Sequence, residues 1–486
     1  MAQPAEVPQA AQVGGRQRVE FARILGLWDA TAIVAGSMIG SGVFLVSADI
    51  ARLLASPAWL LGVWLATALL TLAAALTYGE LAAMMPRAGG QYVYLREAYG
   101  PLVGFLYGWT LFAVIQTGTI AAVAVAFAKF AAVFAPPLEA ATPGAFTIDG
   151  QKIVAIGVIA VLTWANSLGL HTGRWLQNVF TITKVGALVA VVLLGLVLGP
   201  SYGAGEVNWA NFWGREAANP ASLLPLFGAA MVGALFSADA WNNVTFAAGE
   251  VRHPERNIPA SLILGAAGVT ALYFLANVSY LCVLPLWGDP NGTTPVERGI
   301  QFAAHDRVAT AAFEVLFGPV GNLCMAAGIM VSTFGCANGL ILSGARVYHA
   351  MAQDGLFFKA AGLLNTRRVP AAALTMQGLW ASALVLSGTY GDLLDYVICT
   401  ALLFYALTAL AVIVLRWRKP GLPRPYRAFG YPWLTILYIV ATAAIVADLL
   451  IVKPLYTWPG LLIVLSGIPV YFLLQTASRG KAARLT

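Results

Sequence analysis

Charged residues are scarce in this chain. Asp, Glu, Lys and Arg make up 10% of its 486 residues, and hydrophobic residues make up 59%. A soluble domain carries about 25% charged residues, so the composition excludes a string of soluble domains. Apolar runs of ~20 residues, long enough to cross a bilayer as a helix, recur along the chain and predict an all-α integral membrane protein with twelve transmembrane helices. The predicted spans are residues 24–51, 58–84, 99–131, 150–170, 177–199, 220–250, 259–286, 317–352, 370–389, 391–415, 433–452 and 457–474.

Cysteine and histidine are also few, with four residues of each type. The cysteines, Cys282, Cys324, Cys336 and Cys399, all lie inside apolar spans, where we expect small buried side chains rather than disulfides. The histidines are scattered, without metal-ligand spacing. The chain has no phosphate-binding loop, nucleotide fingerprint or nucleophile–base motif. We therefore expect no enzyme activity, cofactor, metal site, nucleic-acid partner or ATP-driven pumping.

Basic residues are distributed unevenly between the two sides of the predicted membrane. Of the 28 Lys and Arg residues, 21 fall on the side of the N-terminus and seven on the other. Cytoplasmic loops carry the excess of positive charge. Both termini are therefore predicted to be cytoplasmic, with residues 1–23 as an N-terminal tail and residues 475–486 as a C-terminal tail.

The first apolar span contains an interruption at residues 36–42, with the sequence GSMIGSG. Three glycines and two serines in seven residues disfavour a continuous helix. At membrane depth, the backbone groups of a broken helix must line a cavity or be buried in protein. Such an opened backbone can hold a small anionic group. A tight helix-packing face built from small residues is the alternative.

The sixth span contains a second interruption at residues 236–243, with the sequence FSADAWNN. Its acid, Asp239, costs ~2.5–3.5 kcal/mol at membrane depth and is expected to face a cavity or a partner. Breaks in the first and sixth spans are typical of two five-helix repeats of inverted topology, here residues 24–199 and 220–415, with two additional helices in 433–474. Amide N–H groups suit a carboxylate and carbonyl oxygens suit an ammonium. A site between the breaks would therefore fit a zwitterionic amino acid.

Motifs in four parts of the sequence occur together. They are Gly36–Phe44 in the first span, Tyr78–Leu81 with Pro86–Gly100 around the second, Trp241–Asn242 with Glu250–Pro259 at the sixth, and Asn338, Gly339, Ser343, Arg346, Asp354 and Gly355 along the eighth. In this combination the chain resembles the amino acid–polyamine–organocation (APC) transporters, and most closely their L-type amino acid transporter branch. The resemblance runs from about Leu25 to Arg418 and implies the LeuT-type fold.

The resemblance implies roles for residues of both breaks. In relatives, the first break binds the α-carboxylate of the substrate, which here points to Ser37, Met38, Gly40, Ser41 and Gly42. Carbonyls of both breaks bind the α-amino group, which implies Met38, Phe236 and Ser237. Phe236 also matches an aromatic that closes over the substrate, and Asn242 matches a polar side chain at the edge of the site. Ordinary core packing is the alternative for Phe236, and satisfying freed backbone groups is the alternative for Asn242.

Lys184 in the fifth span is a candidate for a structural cation. Many LeuT-type carriers place a sodium ion between the first and eighth helices, and the family resembled here often has a lysine from the fifth helix instead. The resemblance implies that the Lys184 ammonium bridges carbonyls of the first break to groups near Ser332 and Cys336, which makes sodium there unnecessary. Relatives often have a serine where this chain has Cys336. The alternative is a lysine that extends to the inner membrane surface.

Asp239 stands where the plainest family pattern has a glycine. Some relatives that accept cationic as well as neutral amino acids carry an aspartate at the matching position. The resemblance thus implies that the Asp239 carboxylate pairs with a lysine or arginine substrate. Pairing with a cation of the protein itself, or capping a half-helix, is the alternative.

The outer loop after the third span is the place where a cysteine could link the chain to an accessory protein. Several L-type relatives are linked through a cysteine in this loop to a single-span glycoprotein. Residues 133–151 contain no cysteine, so we expect no disulfide-linked accessory glycoprotein and predict a stand-alone carrier.

The sequence thus predicts a secondary amino acid transporter of the plasma membrane. We expect a sodium-independent exchanger of neutral L-amino acids that works by alternating access, and that also carries cationic amino acids if Asp239 pairs with the substrate rather than within the protein. Within transport, the alternative is a proton-coupled symporter in which Lys184 titrates during the cycle. The alternative of another class is a membrane receptor that senses an amino acid without moving it.

Overall fold

Helices account for the regular structure of the protein. A computed structural model describes residues 23–139, 148–169, 173–215, 220–387 and 390–482. Within these ranges no strand occurs, and an isolated β-bridge joins Leu25 to Val251. The α-helices are α1 (Leu27–Met38), α2 (Gly42–Leu45), α3 (Ser47–Leu54), α4 (Pro57–Met84), α5 (Gln91–Tyr99), α6 (Pro101–Thr110), α7 (Gln116–Ala131), α8 (Gly150–Ser167), α9 (Gly173–Leu198), α10 (Ala204–Ala210), α11 (Pro220–Ser237), α12 (Pro254–Val283), α13 (Pro295–Arg298), α14 (Val308–Gln353), α15 (Ala371–Ser387), α16 (Tyr390–Arg418), α17 (Trp433–Val452) and α18 (Pro454–Ala482).

Nine helical segments in the described ranges are long and apolar enough to cross a membrane, so the chain is a multi-pass helical membrane protein. They coincide with nine of the twelve predicted spans. The predicted first span is divided among α1, α2 and α3, the longest of which has 12 residues. The predicted ninth span is α15, an apolar helix of 17 residues, and the predicted fourth span is α8, with 18 residues. The nine segments are Pro57–Met84, Pro101–Ala131, Val179–Tyr202, Leu223–Glu250, Pro254–Val283, Val308–Gln353, Tyr390–Arg418, Trp433–Val452 and Thr457–Thr476.

Both predicted interruptions are present. In the first, α1 ends at Met38, and Ile39 has an extended backbone with φ −74° and ψ 90°. In the second, α11 is followed by Ala240, whose φ of +62° lies in the left-handed region, and then by a 3₁₀ helix over Trp241–Glu250. The concentration of glycine and serine explains the first break. The second begins beside Asp239, a residue type with low helix propensity.

The two broken helices touch each other, and α1 also packs against α9, α12 and α14. A Cβ atom built on Gly42 would lie 2.9 Å from the Cα atom of Ser237, closer than real Cβ atoms approach backbone. On the neighbouring helix α12, a Cβ atom on Gly265 would lie 2.4 Å from the side chain of Val34. The absence of a side chain at Gly42 therefore allows the two broken helices to pack closely, in addition to favouring the break in the first helix.

Three of the four cysteines are buried, but Cys324 on α14 is exposed. The expectation of a buried thiol is wrong at this position. The neighbouring side chains of Val320 and Leu323 are 67% and 41% exposed, so this face of α14 points away from the bundle.

The predicted tails lie largely outside the described residues. Of residues 1–23 only Arg23 is described, and residues 483–486 are outside as well. Helix α18 continues to Ala482, so residues 475–482 are helical. Residues 140–147 also lie outside the described ranges. They belong to the outer loop in which relatives carry the linking cysteine.

Candidate amino acid site

Lys184 of α9 lies beside the first break. Its Nζ donates to the carbonyl oxygens of Gly36 and Ile39, to the latter at 3.2 Å, and its side chain is fully buried. From α14, the Ser332 hydroxyl lies 3.2 Å from the carbonyl oxygens of Ile39 and Gly40. The ammonium and the Ser332 hydroxyl thus meet at the Ile39 carbonyl oxygen of the first break, and the lysine does not extend to the protein surface.

Cys336 follows Ser332 by one helical turn and faces the same break. Its thiol donates to the carbonyl oxygen of Ser37 at 3.2 Å, and a Cβ atom on Gly40 would lie 3.2 Å from its sulfur. A thiol is a weaker donor than the serine hydroxyl that relatives often have here. The structure brings Lys184, Ser332 and Cys336 together at the opened backbone.

Tyr273 of α12 joins the two breaks. Its hydroxyl oxygen lies 2.9 Å from the carbonyl oxygen of Met38 and 3.2 Å from that of Ser237. The hydroxyl has one hydrogen and donates to one of these oxygens at a time. The resemblance assigns the same two carbonyls to the amino group of the substrate, so an incoming ammonium would compete with Tyr273.

Tyr390 of α16 contacts a residue from each break. Its hydroxyl lies 3.1 Å from Ser41 Oγ, and its ring meets the buried Phe236 ring edge to face, with centroids 6.2 Å apart. The Lys129 ammonium, near the end of α7, lies 5.7 Å from the centroid of the same Tyr390 ring. These contacts cover the site on the side where α7 ends.

Asp239 is buried in the second break. Its carboxylate accepts a 2.5 Å hydrogen bond from the Tyr405 hydroxyl of α16. Across the described ranges, no Lys, Arg or His side chain lies within 4 Å of that carboxylate. Pairing of Asp239 with a cation of the protein is therefore not found in that part of the chain.

A cavity of about 10 Å³ borders Asp239. One water molecule needs about 10–15 Å³ on the same scale. Asn242, Asn243 and Tyr405 also border the cavity, together with a π-helical turn over Leu111–Ile115 between α6 and α7. An amino acid does not fit this volume, so the space beside Asp239 is closed in this structure. Entry of a substrate requires the surrounding helices to separate.

Asn242 connects the second break to two other helices. Its Nδ2 donates to Gln91 Oε1 of α5 at 2.9 Å. Gln91 Nε2 in turn donates to the Phe404 carbonyl oxygen and to Thr408 Oγ1 of α16, at 3.1 and 3.0 Å. The Asn242 amide nitrogen therefore binds a side chain rather than freed backbone. The neighbouring Asn243 Nδ2 is buried and has no hydrogen-bond partner in the described ranges.

Ion pairs join the helices at the end of the bundle where α4 ends. Glu80 is fully buried and accepts hydrogen bonds from Arg416 at 2.9 and 2.5 Å, and Arg424 Nε lies 3.4 Å from its carboxylate. Glu250 binds Arg346 of α14 at 2.8 Å. These pairs join neighbouring helices at the end of the bundle opposite Tyr390.

Helix α5 adds two ion pairs at this end. Arg96 binds Asp354, and Glu97 binds Lys419 at 3.0 Å. The hydrogen bond from Lys419 holds the pKa of the Glu97 carboxyl below its usual range. Elsewhere in the described ranges, no three His, Cys, Asp or Glu side chains group closely enough to hold a metal ion.

Comparison with known proteins identifies the family. The model of the family described as amino acid permease matches residues 25–473. The chain belongs to the amino acid permease family. The mouse b(0,+)-type amino acid transporter 1 is 29% identical over 475 residues, which cover 95% of this chain and 90% of the mouse protein. The rabbit large neutral amino acids transporter small subunit 2 is 29% identical over 471 residues, which cover 96% and 83%.

Family membership makes this permease an amino acid transporter and not an enzyme. The resemblance to APC transporters is confirmed. One relative is named a small subunit, and the expectation that this permease has no disulfide-linked accessory glycoprotein stays a prediction.

Three tyrosines at the site, Tyr273, Tyr390 and Tyr405, are not marked by any sequence pattern. Each lies on a continuous helix, so no interruption draws attention to it. The available signal is chemical: a buried tyrosine hydroxyl usually needs a hydrogen-bond partner. Tyrosines inside otherwise apolar spans, such as Tyr273 and Tyr405, are therefore candidates for contact with a break, whereas Tyr390 lies between two predicted spans.

Proposed function

We propose that this permease is a sodium-independent exchanger of L-amino acids that works by alternating access in the plasma membrane, with both termini in the cytoplasm. The proposal includes a LeuT-type arrangement of twelve helices. In it, residues 24–199 and 220–415 form the inverted repeats, and residues 433–474 form the two additional helices. The family supports the transport of amino acids, and two broken helices in contact support this placement of the site.

One observation supports the proposal that transport does not require sodium. The Lys184 ammonium binds the carbonyl oxygens of Gly36 and Ile39, and Ser332 shares the second of these. A hard cation such as sodium would need the same oxygen ligands. A buried ammonium already present would repel it strongly in a medium of low dielectric constant. Lys184 therefore takes the place of the ion and links α9 to the first break.

The substrate backbone binds between the breaks. Its carboxylate binds the first-break residues Ser37, Met38, Gly40, Ser41 and Gly42, whose N–H and hydroxyl groups are donors. Its ammonium binds the carbonyl oxygens of Met38, Phe236 and Ser237, and displaces the Tyr273 hydroxyl. Phe236, held by Tyr390, covers the bound substrate.

The substrate side chain extends into the cavity beside Asp239 and Asn242. One relative is named for large neutral amino acids, and we infer that neutral amino acids are carried here too. The Asp239 carboxylate, which has no cation of the described ranges beside it, would bind the charged end of a lysine or arginine substrate.

Transport by the purified chain alone tests whether this permease is a carrier. Labelled amino acid should accumulate by counterflow in proteoliposomes that contain unlabelled amino acid, without any second polypeptide. Lys184→Ala should lose this activity because the link between α9 and the first break is removed. The exposed Lys359→Ala is the matched control and should keep it. A receptor that only senses amino acids would show saturable binding without counterflow.

Proton-coupled symport is the second candidate. It is favoured by the burial of Lys184 without a carboxylate within 4 Å in the described ranges, because such a lysine can release a proton. Lys184→Arg separates the two functions, since arginine keeps its proton in proteins. Uphill uptake driven by a proton gradient in the wild type, and lost in Lys184→Arg while counterflow remains, would support symport through Lys184.

A further inference from the structure

The connection between α16 and α17, residues 416–433, carries positive charge and contains no acidic residue. In the described ranges, Glu80 pairs with two of its cations and Glu97 pairs with one. Five cations and these two carboxylates leave a surplus of three positive charges at this end of the bundle. The five cations are Arg416, Arg418, Lys419, Arg424 and Arg427.

This connection is folded against the bundle. The Arg424 guanidinium donates to four carbonyl oxygens within residues 415–422, at 2.9 to 3.1 Å. The Ala428 N–H donates to the Glu80 carboxylate at 2.8 Å. The Arg416 guanidinium lies 3.6 Å from the centroid of the Tyr431 ring. These contacts hold the connection in place, so its positive charges have defined positions at the ends of α4 and α16.

Three large aromatic side chains of the connection are exposed. Trp417 is 84% exposed, Phe429 74% and Trp433 78%. Trp417 lies in the last turn of α16, and α17 begins at Trp433. Both helices are long and apolar enough to cross a membrane. Tryptophan at the ends of such helices lies at the level of the lipid headgroups, so the surplus positive charge lies at that level too.

Arg418 and Arg427 are the exposed arginines of the connection. Across the described ranges, neither has a carboxylate within 4 Å. Arg418 donates to the Ala98 carbonyl oxygen at 3.3 Å, and its guanidinium has further N–H groups. A guanidinium presents five donors in a planar arrangement that matches phosphate oxygens. These two side chains are therefore open to a phosphate from outside the protein.

We propose that the connection 416–433 is a binding site for an anionic phospholipid. Arg418 and Arg427 supply positive charge for the lipid phosphate, and Trp417 and Trp433 contact the upper part of its acyl chains. Clusters of basic residues beside a membrane helix attract anionic headgroups. A zwitterionic lipid carries an ammonium that offsets its phosphate, so the site selects a lipid with net negative charge. The inference goes beyond transport and does not depend on which amino acid is carried.

The bound lipid is expected to stabilise the protein. Arg416 and Arg424 connect the same segment to Glu80 of α4. A lipid that holds the connection in place therefore also favours the contact between α4 and α16. Phosphatidylglycerol added to the detergent-solubilised permease should raise the thermal midpoint more than phosphatidylcholine does.

Tryptophan fluorescence tests for this lipid. Wild-type permease is reconstituted in phosphatidylcholine vesicles with a minor fraction of phosphatidylglycerol that carries bromine, a quencher of tryptophan, near the top of its acyl chains. An equal fraction of brominated phosphatidylcholine is the reference. We expect stronger quenching by the phosphatidylglycerol. Trp417→Phe/Trp433→Phe should lose most of this excess, and Arg418→Gln/Arg427→Gln should weaken the affinity for the lipid by about tenfold or more.

A second pair of exposed cations provides the matched control. Lys359→Gln/Arg368→Gln removes two cations from the connection after α14, and this variant should keep both the excess quenching and the thermal effect of phosphatidylglycerol. Arg418→Gln/Arg427→Gln should lose the thermal effect. Inorganic phosphate should neither reduce the excess quenching nor raise the thermal midpoint.

Equal quenching of the wild type by the two brominated lipids would overturn the proposal. Excess quenching that persists in full in Trp417→Phe/Trp433→Phe would place the lipid elsewhere and overturn the site. Equal losses in the control and in Arg418→Gln/Arg427→Gln would reduce the effect to net charge, which also contradicts the proposal. Loss of the excess on addition of inorganic phosphate would show a site for a soluble anion instead of a lipid. The wild-type comparison and the tryptophan variant decide the question even where the arginine variant fails to fold.

Discussion

Replacement of Gly42 by alanine is expected to remove most of the transport activity, because Gly42 is a position where the two breaks touch. A Cβ atom at Gly42 would lie 2.0 Å from Ser237 Oγ and 2.9 Å from its Cα atom, so the backbone of one break must move. Overpacking of this kind costs about 1–3 kcal/mol. If the strain falls on the closed arrangement alone, its population relative to open arrangements decreases by about 5–150-fold, and the transport rate decreases with it.

Counterflow of labelled leucine in proteoliposomes measures this effect, with gel filtration and thermal unfolding in detergent as checks on folding. Gly268→Ala on α12 is the matched control, because a Cβ atom there would meet nothing within 4 Å. The double variant Gly42→Ala/Ser237→Gly removes two of the three close contacts and should recover part of the activity.

The reasoning would be refuted by wild-type counterflow in a folded Gly42→Ala variant. Equal losses in Gly268→Ala and Gly42→Ala would also contradict it, because only the Cβ atom at Gly42 meets a neighbouring backbone. Failure of Ser237→Gly to restore any activity would show that the damage comes from elsewhere in the break.

Three further predictions concern single side chains. Asp239→Asn should weaken competition by arginine against labelled alanine more than it weakens alanine uptake. Equal losses for all substrates would show that Asp239 has a structural role and does not contact the substrate. Glu80→Gln breaks a buried ion pair with Arg416 and should lower the stability by about 3 kcal/mol; an unchanged thermal midpoint in detergent would contradict this. Tyr273→Phe removes a competitor for the substrate ammonium worth about 0.5–1.5 kcal/mol, so the KM for counterflow should fall, and a raised KM would count against the site.

The two breaks could be predicted because their residues differ from the apolar, helix-forming residues on either side. Glycine and serine at residues 36–42 and an acid at position 239 interrupt otherwise apolar runs, and each has a helix-breaking or polar consequence that lipid does not tolerate. The positions of these residues do not predict how long each helix beside a break is. The apolar run of residues 24–51 suggests one helix, whereas the backbone forms three short ones.

Partners far apart in sequence were beyond prediction. Glu80 pairs with Arg416, which lies 336 residues away, and nothing local in the sequence joins the two. Tyr405 likewise reaches Asp239 across 166 residues. Such contacts depend on how α16 packs against the breaks, which the apolar pattern of a helix buried on several sides does not specify.

Sodium dependence of counterflow tests the central claim most directly. Vesicles of wild-type permease and of Lys184→Ala are loaded with unlabelled leucine and supplied with labelled leucine in sodium or choline medium. The account predicts equal wild-type counterflow in both media, no uphill uptake driven by a sodium gradient, and loss of activity in Lys184→Ala. Concentrative uptake of leucine driven by a sodium gradient in the wild type would contradict the assignment of Lys184 as the resident cation.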